Sequence, residues 1–209
     1  MIGFYNYTVI LTYLGFATGV FGIFMALNGN LFYSILCILF CGLFDMFDGK
    51  VARTKKRSKE EINYGIQIDS LSDLVCFGIL PIVIGYAIGL NKYYHFIFLI
   101  LYALCALIRL AYFNVLEITR QDNDNSTLKY YTGLPVTSVA LIFPLIYALK
   151  DLLGAYFELV YLISIILISF LFVSRIKIKK PSLKVMVIFI LLGLIELILG
   201  LNILVGYII

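Results

Sequence analysis

The chain has 209 residues, of which 63% are hydrophobic and 13% charged, and its mean hydropathy is +1.04. A soluble domain carries about 25% charged residues, so this composition excludes a water-soluble enzyme. The +4 net charge comes from basic residues grouped beside apolar stretches, and no nucleic-acid partner is needed to explain it.

A membrane helix takes about 20 apolar residues. In chain order the candidate spans are residues 6–27, 31–52, 66–90, 93–113, 134–149 and 155–174, with a last apolar stretch at 183–209. Gly200-Leu201-Asn202 can break that last stretch, which is either one long helix or two. The expected architecture is one all-α integral membrane domain over residues 1–209, with a six-helix transmembrane core at 6–174 and the C-terminal hydrophobic helix, whole or split. Residues 114–132 form the longest polar connection. Cys37, Cys41, Cys76 and Cys105 fall in apolar stretches without a C-x-x-C pair, which predicts buried free thiols. The opening MIGFYNYTV has no basic leader region, so the first apolar stretch reads as a span.

Thirteen of the sixteen Lys and Arg residues follow even-numbered spans. Lys50, Arg53, Lys55, Lys56, Arg57 and Lys59 follow the second, Arg120 and Lys129 the fourth, and Arg175, Lys177, Lys179, Lys180 and Lys184 the sixth. Basic residues stay on the cytoplasmic side. The N-terminus and the even-numbered loops are therefore expected there, in the cytoplasmic membrane and against anionic head groups.

Intramembrane carboxylates are costly and mark function. Asp45 and Asp48 end the second span, and Asp69 and Asp73 begin the third. At about 100° per residue, positions 45, 48, 49, 52 and 53 share about 140° of one helix, and 65, 69 and 73 form one stripe on the next. A short loop makes those helices antiparallel neighbours, so four carboxylates converge. Four such charges together cannot all remain ionised unaided. Two divalent cations balance them, and all-oxygen ligation suits Mg²⁺ or Mn²⁺, which also take substrate phosphates. Gly49, Ala52 and Gly65 leave a groove beside the acids for a diphosphate and a flat base, and Arg53 can reach a phosphate oxygen. Arg109, inside the fourth span, is a permanent cation that needs an anion. It reads either as a clamp on a substrate carboxylate or lipid phosphate, or as a side chain that snorkels or pairs with Glu117.

D45-x2-D48-G49-x2-A52-R53 followed by G65-x3-D69-x3-D73 resembles the signature of the CDP-alcohol phosphotransferase family. YGIQIDSLSDLVCFGILP at 64–81, RLAYFN at 109–114 and GLP at 133–135 are similar to its phosphatidylserine synthase branch. That branch carries a basic residue where Tyr112 stands and a serine where Cys76 stands. The interval Thr54–Tyr64 is longer than the family's usual one, and Ser58 within it is a candidate contact. Asn6-Tyr7-Thr8 resembles the family's opening helix, in which a threonine lies near the nucleotide. Over about residues 6–150 the resemblance implies a homodimeric membrane enzyme with its active site on the cytoplasmic side. Its expected reaction transfers a phosphatidyl-type group from CDP-diacylglycerol or CDP-archaeol to L-serine, releasing CMP. By the match, Asp45, Asp48, Asp69 and Asp73 hold metal, Asp73 acts as general base, and Thr8, Gly49, Ala52, Arg53 and Gly65 line the CDP-lipid site. Arg109 is the candidate for the acceptor carboxylate. The rivals are a sister transferase using glycerol phosphate or inositol phosphate, and a divalent-cation transporter. A transporter calls for acids spread through the bilayer depth, whereas these cluster at one face.

Overall fold

A computed structural model describes residues 3–123 and 130–179; the stretch 183–209, expected as one helix or two, lies outside them. A 3₁₀ turn, Tyr7–Val9, is capped by Asn6, whose side chain accepts the Thr8 N–H at 2.9 Å. It leads into α1 (Ile10–Leu27), and a turn through Gly29 connects to α2 (Leu31–Ala52). The third span is a single rod, Lys59–Ile88, built from α3 (Lys59–Asp73), a π-helical turn (Leu74–Ile79) and α4 (Leu80–Ile88). Next come α5 (Tyr93–Asn123), α6 (Val139–Ala148), the short α7 (Lys150–Leu153) and α8 (Phe157–Val173).

Five of these segments are long and apolar enough to cross a membrane, and Val136–Ala148 is a shorter apolar sixth. Large apolar side chains such as Phe21, Phe24, Ile97, Ile100, Leu104 and Phe170 face outward, which water would not tolerate over so many faces. The chain is an all-α, multi-pass membrane protein.

Two boundaries differ from the sequence expectation. The third span starts at Lys59 rather than 66, because Ser58 Oγ accepts the Glu61 N–H and the Glu61 carboxylate accepts the Ser58 N–H. This capping box holds a polar first turn in helical form. The helix of the fourth span runs to Asn123 rather than 113, so the expected connection 114–132 is helical in its first part. Glu117 and Arg120, one turn apart, are bonded at 2.9 and 2.5 Å there. Beyond it, β1 (Tyr130–Thr132) pairs antiparallel with β2 (Lys177–Lys179), a short clasp that the sequence did not announce. The clasp is helped by Gly133. At φ +77° a side chain would be strained, and a Cβ would come within 2.7 Å of the Phe172 carbonyl, so only glycine fits.

Small residues set the spacing around α1. Thr12, Gly15, Gly19, Gly22 and Ala26 are buried at alternating three- and four-residue intervals. A Cβ on Gly19 would lie 2.7 Å from Cys76 Sγ, and one on Gly22 would lie 2.8 Å from Cys37 Cβ. The helix is therefore seated directly against α2 and the π turn, as bare backbone permits in lipid. All four cysteines are buried and free.

The π turn has a chemical cause. Pro81 lacks an N–H, which leaves the Phe77 carbonyl without its usual helical donor. Tyr102 Oη donates to that carbonyl at 2.8 Å, and Tyr161 Oη donates to the Pro81 carbonyl at 2.8 Å.

Candidate active site between α1, α2 and α3

The last turns of α2 and the first turns of α3 converge as the spacing requires. Asp45, Asp48 and Asp69 each offer a carboxylate oxygen, and the three oxygens lie within 4.8 Å of one another. Asp73, one turn further along α3, lines the same cavity but stands outside that triad. Asp48 and Asp73 are only 7% and 9% exposed. The cavity is completed by Leu11, Thr12 and Gly15 from α1, Cys41 and Phe44 from α2, and Ser72 and Cys76 from the third span.

Three hard oxygen donors at that separation fit a Mg²⁺- or Mn²⁺-sized ion, whose bonds are about 2.0–2.1 Å long. No histidine lines the cavity, and its two thiols, Cys41 and Cys76, are turned to the Gly15 carbonyl rather than to the acids. The fit therefore holds for a hard divalent cation, with the deeper Asp73 as a further oxygen ligand or a free carboxylate.

Around the acids the first-span seam supplies polar contacts. Thr12 Oγ1 donates to Asp48 at 3.3 Å, and Ser72 Oγ donates to the Thr12 carbonyl at 3.3 Å. The thiols of Cys41 and Cys76 both donate to the Gly15 carbonyl, at 3.4 and 3.3 Å. Cys76, which stands where the sequence comparison above puts a serine in the resembling branch, thus donates to backbone here. Thr12 escaped the sequence reading. Its signal was present, because it begins the small-residue stripe Thr12-Gly15-Gly19-Gly22, but on its own helix it looks like a packing residue.

The other expected site residues fall in different places. Thr8 is buried, and its hydroxyl donates to the Asn6 side chain within the capped first turn. Gly49 faces open space, with nothing within 4 Å of where a Cβ would stand, while Ala52 is half-buried beyond it. Arg53 is exposed at the end of α2, where its N–H is bonded to the Lys50 carbonyl. Gly65 lies under the Arg57 guanidinium. Ser58 serves as the α3 cap, which employs the hydroxyl that the sequence offered as a contact.

Arg109 is buried, 7% exposed, with its guanidinium 4.4 Å over the Phe113 ring. That burial argues against the snorkelling alternative. Its depth follows from the contacts on either side. Ser70 is bonded to Asn114 at 2.6 Å, and the backbone of Gly78 faces Ala106. Position 109 therefore lies alongside the stretch 70–78 that carries Asp73.

Comparison with known proteins bears on the same residues. A CDP-diacylglycerol–serine O-phosphatidyltransferase of Saccharomyces cerevisiae is 41% identical over 110 residues, covering 51% of this chain and 38% of that protein. An archaetidylserine synthase of Methanothermobacter thermautotrophicus is 32% identical over 170 residues, 80% of this chain and 67% of the relative. A CDP-diacylglycerol–serine O-phosphatidyltransferase of Bacillus subtilis is 28% identical over 176 residues, 82% and 89% of the two. The chain thus spans well under half of the yeast relative and most of the bacterial one. Residues 5–173, which hold the acidic cavity and every described span, match the CDP-alcohol phosphatidyltransferase family, and to that family the chain belongs.

Proposed function

We infer that the protein transfers a phosphatidyl-type group from a CDP-linked lipid, CDP-diacylglycerol or CDP-archaeol, to the hydroxyl of L-serine, with release of CMP. The observation that carries this reading is the triad Asp45, Asp48 and Asp69, at a separation that suits a shared hard cation. The names of relatives that match over most of this chain support serine as the acceptor.

Asp45, Asp48 and Asp69, with Asp73 from the deeper turn, are the ligands for two Mg²⁺ or Mn²⁺ ions. When bound, these ions supply neutralisation of the negative charge on the diphosphate and on the departing CMP. Asp73 takes the proton from the serine hydroxyl, a role suited to a carboxylate that lines the cavity without belonging to the triad. The serine oxygen bonds to the lipid-side phosphorus, and the bond from that phosphorus to the CMP oxygen breaks. Thr12 steadies Asp48 through its hydroxyl. The open space beside the Gly49 backbone is room for the nucleotide, whose further contacts are Ala52, Gly65, Arg53 and Thr8. Arg109, at the depth of Asp73, holds the serine carboxylate.

The active form is a homodimer, and the acidic cavity opens to the cytoplasm. Basic residues Lys50 to Lys59 at that end support this orientation through the positive-inside rule.

The test is CMP release by purified protein supplied with CDP-diacylglycerol or CDP-archaeol, Mg²⁺ or Mn²⁺, and one alcohol at a time. Release that depends on serine is expected. Release only with glycerol phosphate or inositol phosphate would reassign the acceptor, and none with any alcohol would remove the transferase reading.

A further inference from the structure

The linker between α2 and α3, residues 54–58, is held on its outer side. Tyr7 Oη lies 3.0 Å from Thr54 Oγ1, and Asn6 Nδ2 and Lys55 Nζ both donate to Glu61 Oε1, at 3.0 and 3.3 Å. Glu61 also closes the Ser58 capping box. Its carboxylate is thus already engaged.

Arg57 turns inward instead. It is half-buried, and its Nη1 lies 3.1 Å from the point a Cβ on Gly65 would occupy. Among the described residues it has no hydrogen-bond or ion-pair partner. Gly65 stands one turn before Asp69 on the same face of α3. A permanently charged, planar donor fork thus lies over bare backbone one helical turn before Asp69, a residue that lines the carboxylate cavity. Arg53, the arginine inside the motif, is exposed at the end of α2.

We propose that Arg57 is a substrate-binding residue whose guanidinium grips a phosphate of the CDP diphosphate across Gly65. The proposal rests on the transferase reading above and adds a contact from the lengthened Thr54–Tyr64 interval. Gly65 then has a defined role, because a Cβ there would displace the guanidinium. The phosphate of an anionic membrane lipid has the same chemistry, and the experiment separates the two sources.

Wild-type, Arg57→Ala and Arg57→Lys proteins are purified in neutral detergent, checked by thermal melting, and titrated calorimetrically with CDP in Mg²⁺. KM is then measured for CDP-lipid and for serine, with and without anionic phospholipid in the micelles. Loss of a charge-assisted hydrogen bond predicts CDP affinity about ten- to a hundredfold weaker in Arg57→Ala. The KM for CDP-lipid rises by a similar factor, the KM for serine stays within about twofold, and Arg57→Lys recovers part of the loss. CDP affinity within about twofold of wild type in Arg57→Ala overturns the proposal. A defect confined to micelles containing anionic phospholipid overturns it too, because the guanidinium then serves the membrane surface. If wild-type protein shows no serine-dependent CMP release, the transferase reading fails while the CDP titration still judges Arg57.

Discussion

Around α1, α2 and α3 the helices meet through glycine backbone, thiols and carboxylates, whereas around α5, α6 and α8 they meet through interlocked aromatic rings. In the second region Phe143 stacks on Tyr161 with centroids 4.9 Å apart, and Tyr102 sits 5.4 Å from Phe172. All four side chains are fully buried. The first region leaves a cavity lined by carboxylates that repel one another; in the second, the Tyr102 and Tyr161 hydroxyls are bonded to backbone carbonyls of the third span. A helix bundle in lipid gains little from burying apolar surface, so packing and hydrogen bonding carry its stability. The aromatic half therefore supports a neighbour that is organised for ligands rather than for cohesion.

The largest effect expected from this division is in the acidic half. Replacing Asp48 or Asp69 by Asn should lower the rate of CMP release by about three orders of magnitude or more, in line with removing groups that organise transition-state charge. The thermal midpoint of metal-free protein should not fall, since a mutually repelling carboxylate is removed. A drop in that midpoint matching an aromatic-core substitution would erase the distinction between the halves. Asp73→Asn should cost about 10²- to 10⁴-fold, the usual range for a general base. It should keep calorimetric CDP binding in Mg²⁺ within about tenfold. A variant that retains full turnover would remove Asp73 from the proton-transfer step.

The opposite pattern is expected at the edge of the aromatic half. Gly133→Ala introduces a side chain at φ +77° and a Cβ 2.7 Å from a carbonyl oxygen. Strain of about 1–3 kcal/mol should appear as a lower melting temperature, with both substrate KM values unchanged. Tyr102→Phe leaves the Phe77 carbonyl without its donor, at a cost of about 1–3 kcal/mol for a buried unsatisfied group. Because the π turn begins directly after Asp73, this variant should also lower kcat, and so reports how far the aromatic half positions the acids.

The same contrast explains what could be read from the sequence. Asp45, Asp48, Asp69 and Asp73 were legible because a charge inside an apolar run is conspicuous and its helical spacing fixes its face. Most helix positions followed from apolar length alone. The start of α3 did not, because hydropathy misses a polar first turn, although S58-x-x-E61 is a helix-start pattern visible in the chain. The extension of α5 past residue 113 was missed for the same reason. Thr12 and Tyr102 depend on contacts between residues 25 to 60 positions apart, and the inward turn of Arg57 on a contact with Gly65 across the linker and the first turn of α3, none of which a helical period encodes. Pro81 signalled a disturbed helix, but not that a tyrosine from another span would answer it.

The smallest effect is expected at Thr12, and it tests whether α1 belongs to the site or only encloses it. Its hydroxyl reaches Asp48 at 3.3 Å, and its carbonyl accepts from Ser72. Thr12→Val keeps the shape and the carbonyl while removing only the side-chain donor. A single long hydrogen bond to a carboxylate proposed as a metal ligand is worth about 1 kcal/mol, or roughly a fivefold change. That change should appear in the Mg²⁺ concentration needed for half-maximal CMP release, because an untethered Asp48 is a less ordered ligand. Serine KM and melting temperature should stay as in wild type. Thr12→Ser restores the donor and should restore the metal dependence. If Thr12→Val instead lowers the melting temperature and leaves the Mg²⁺ requirement untouched, α1 acts as a wall, and the functional half of the molecule contracts to α2 and α3.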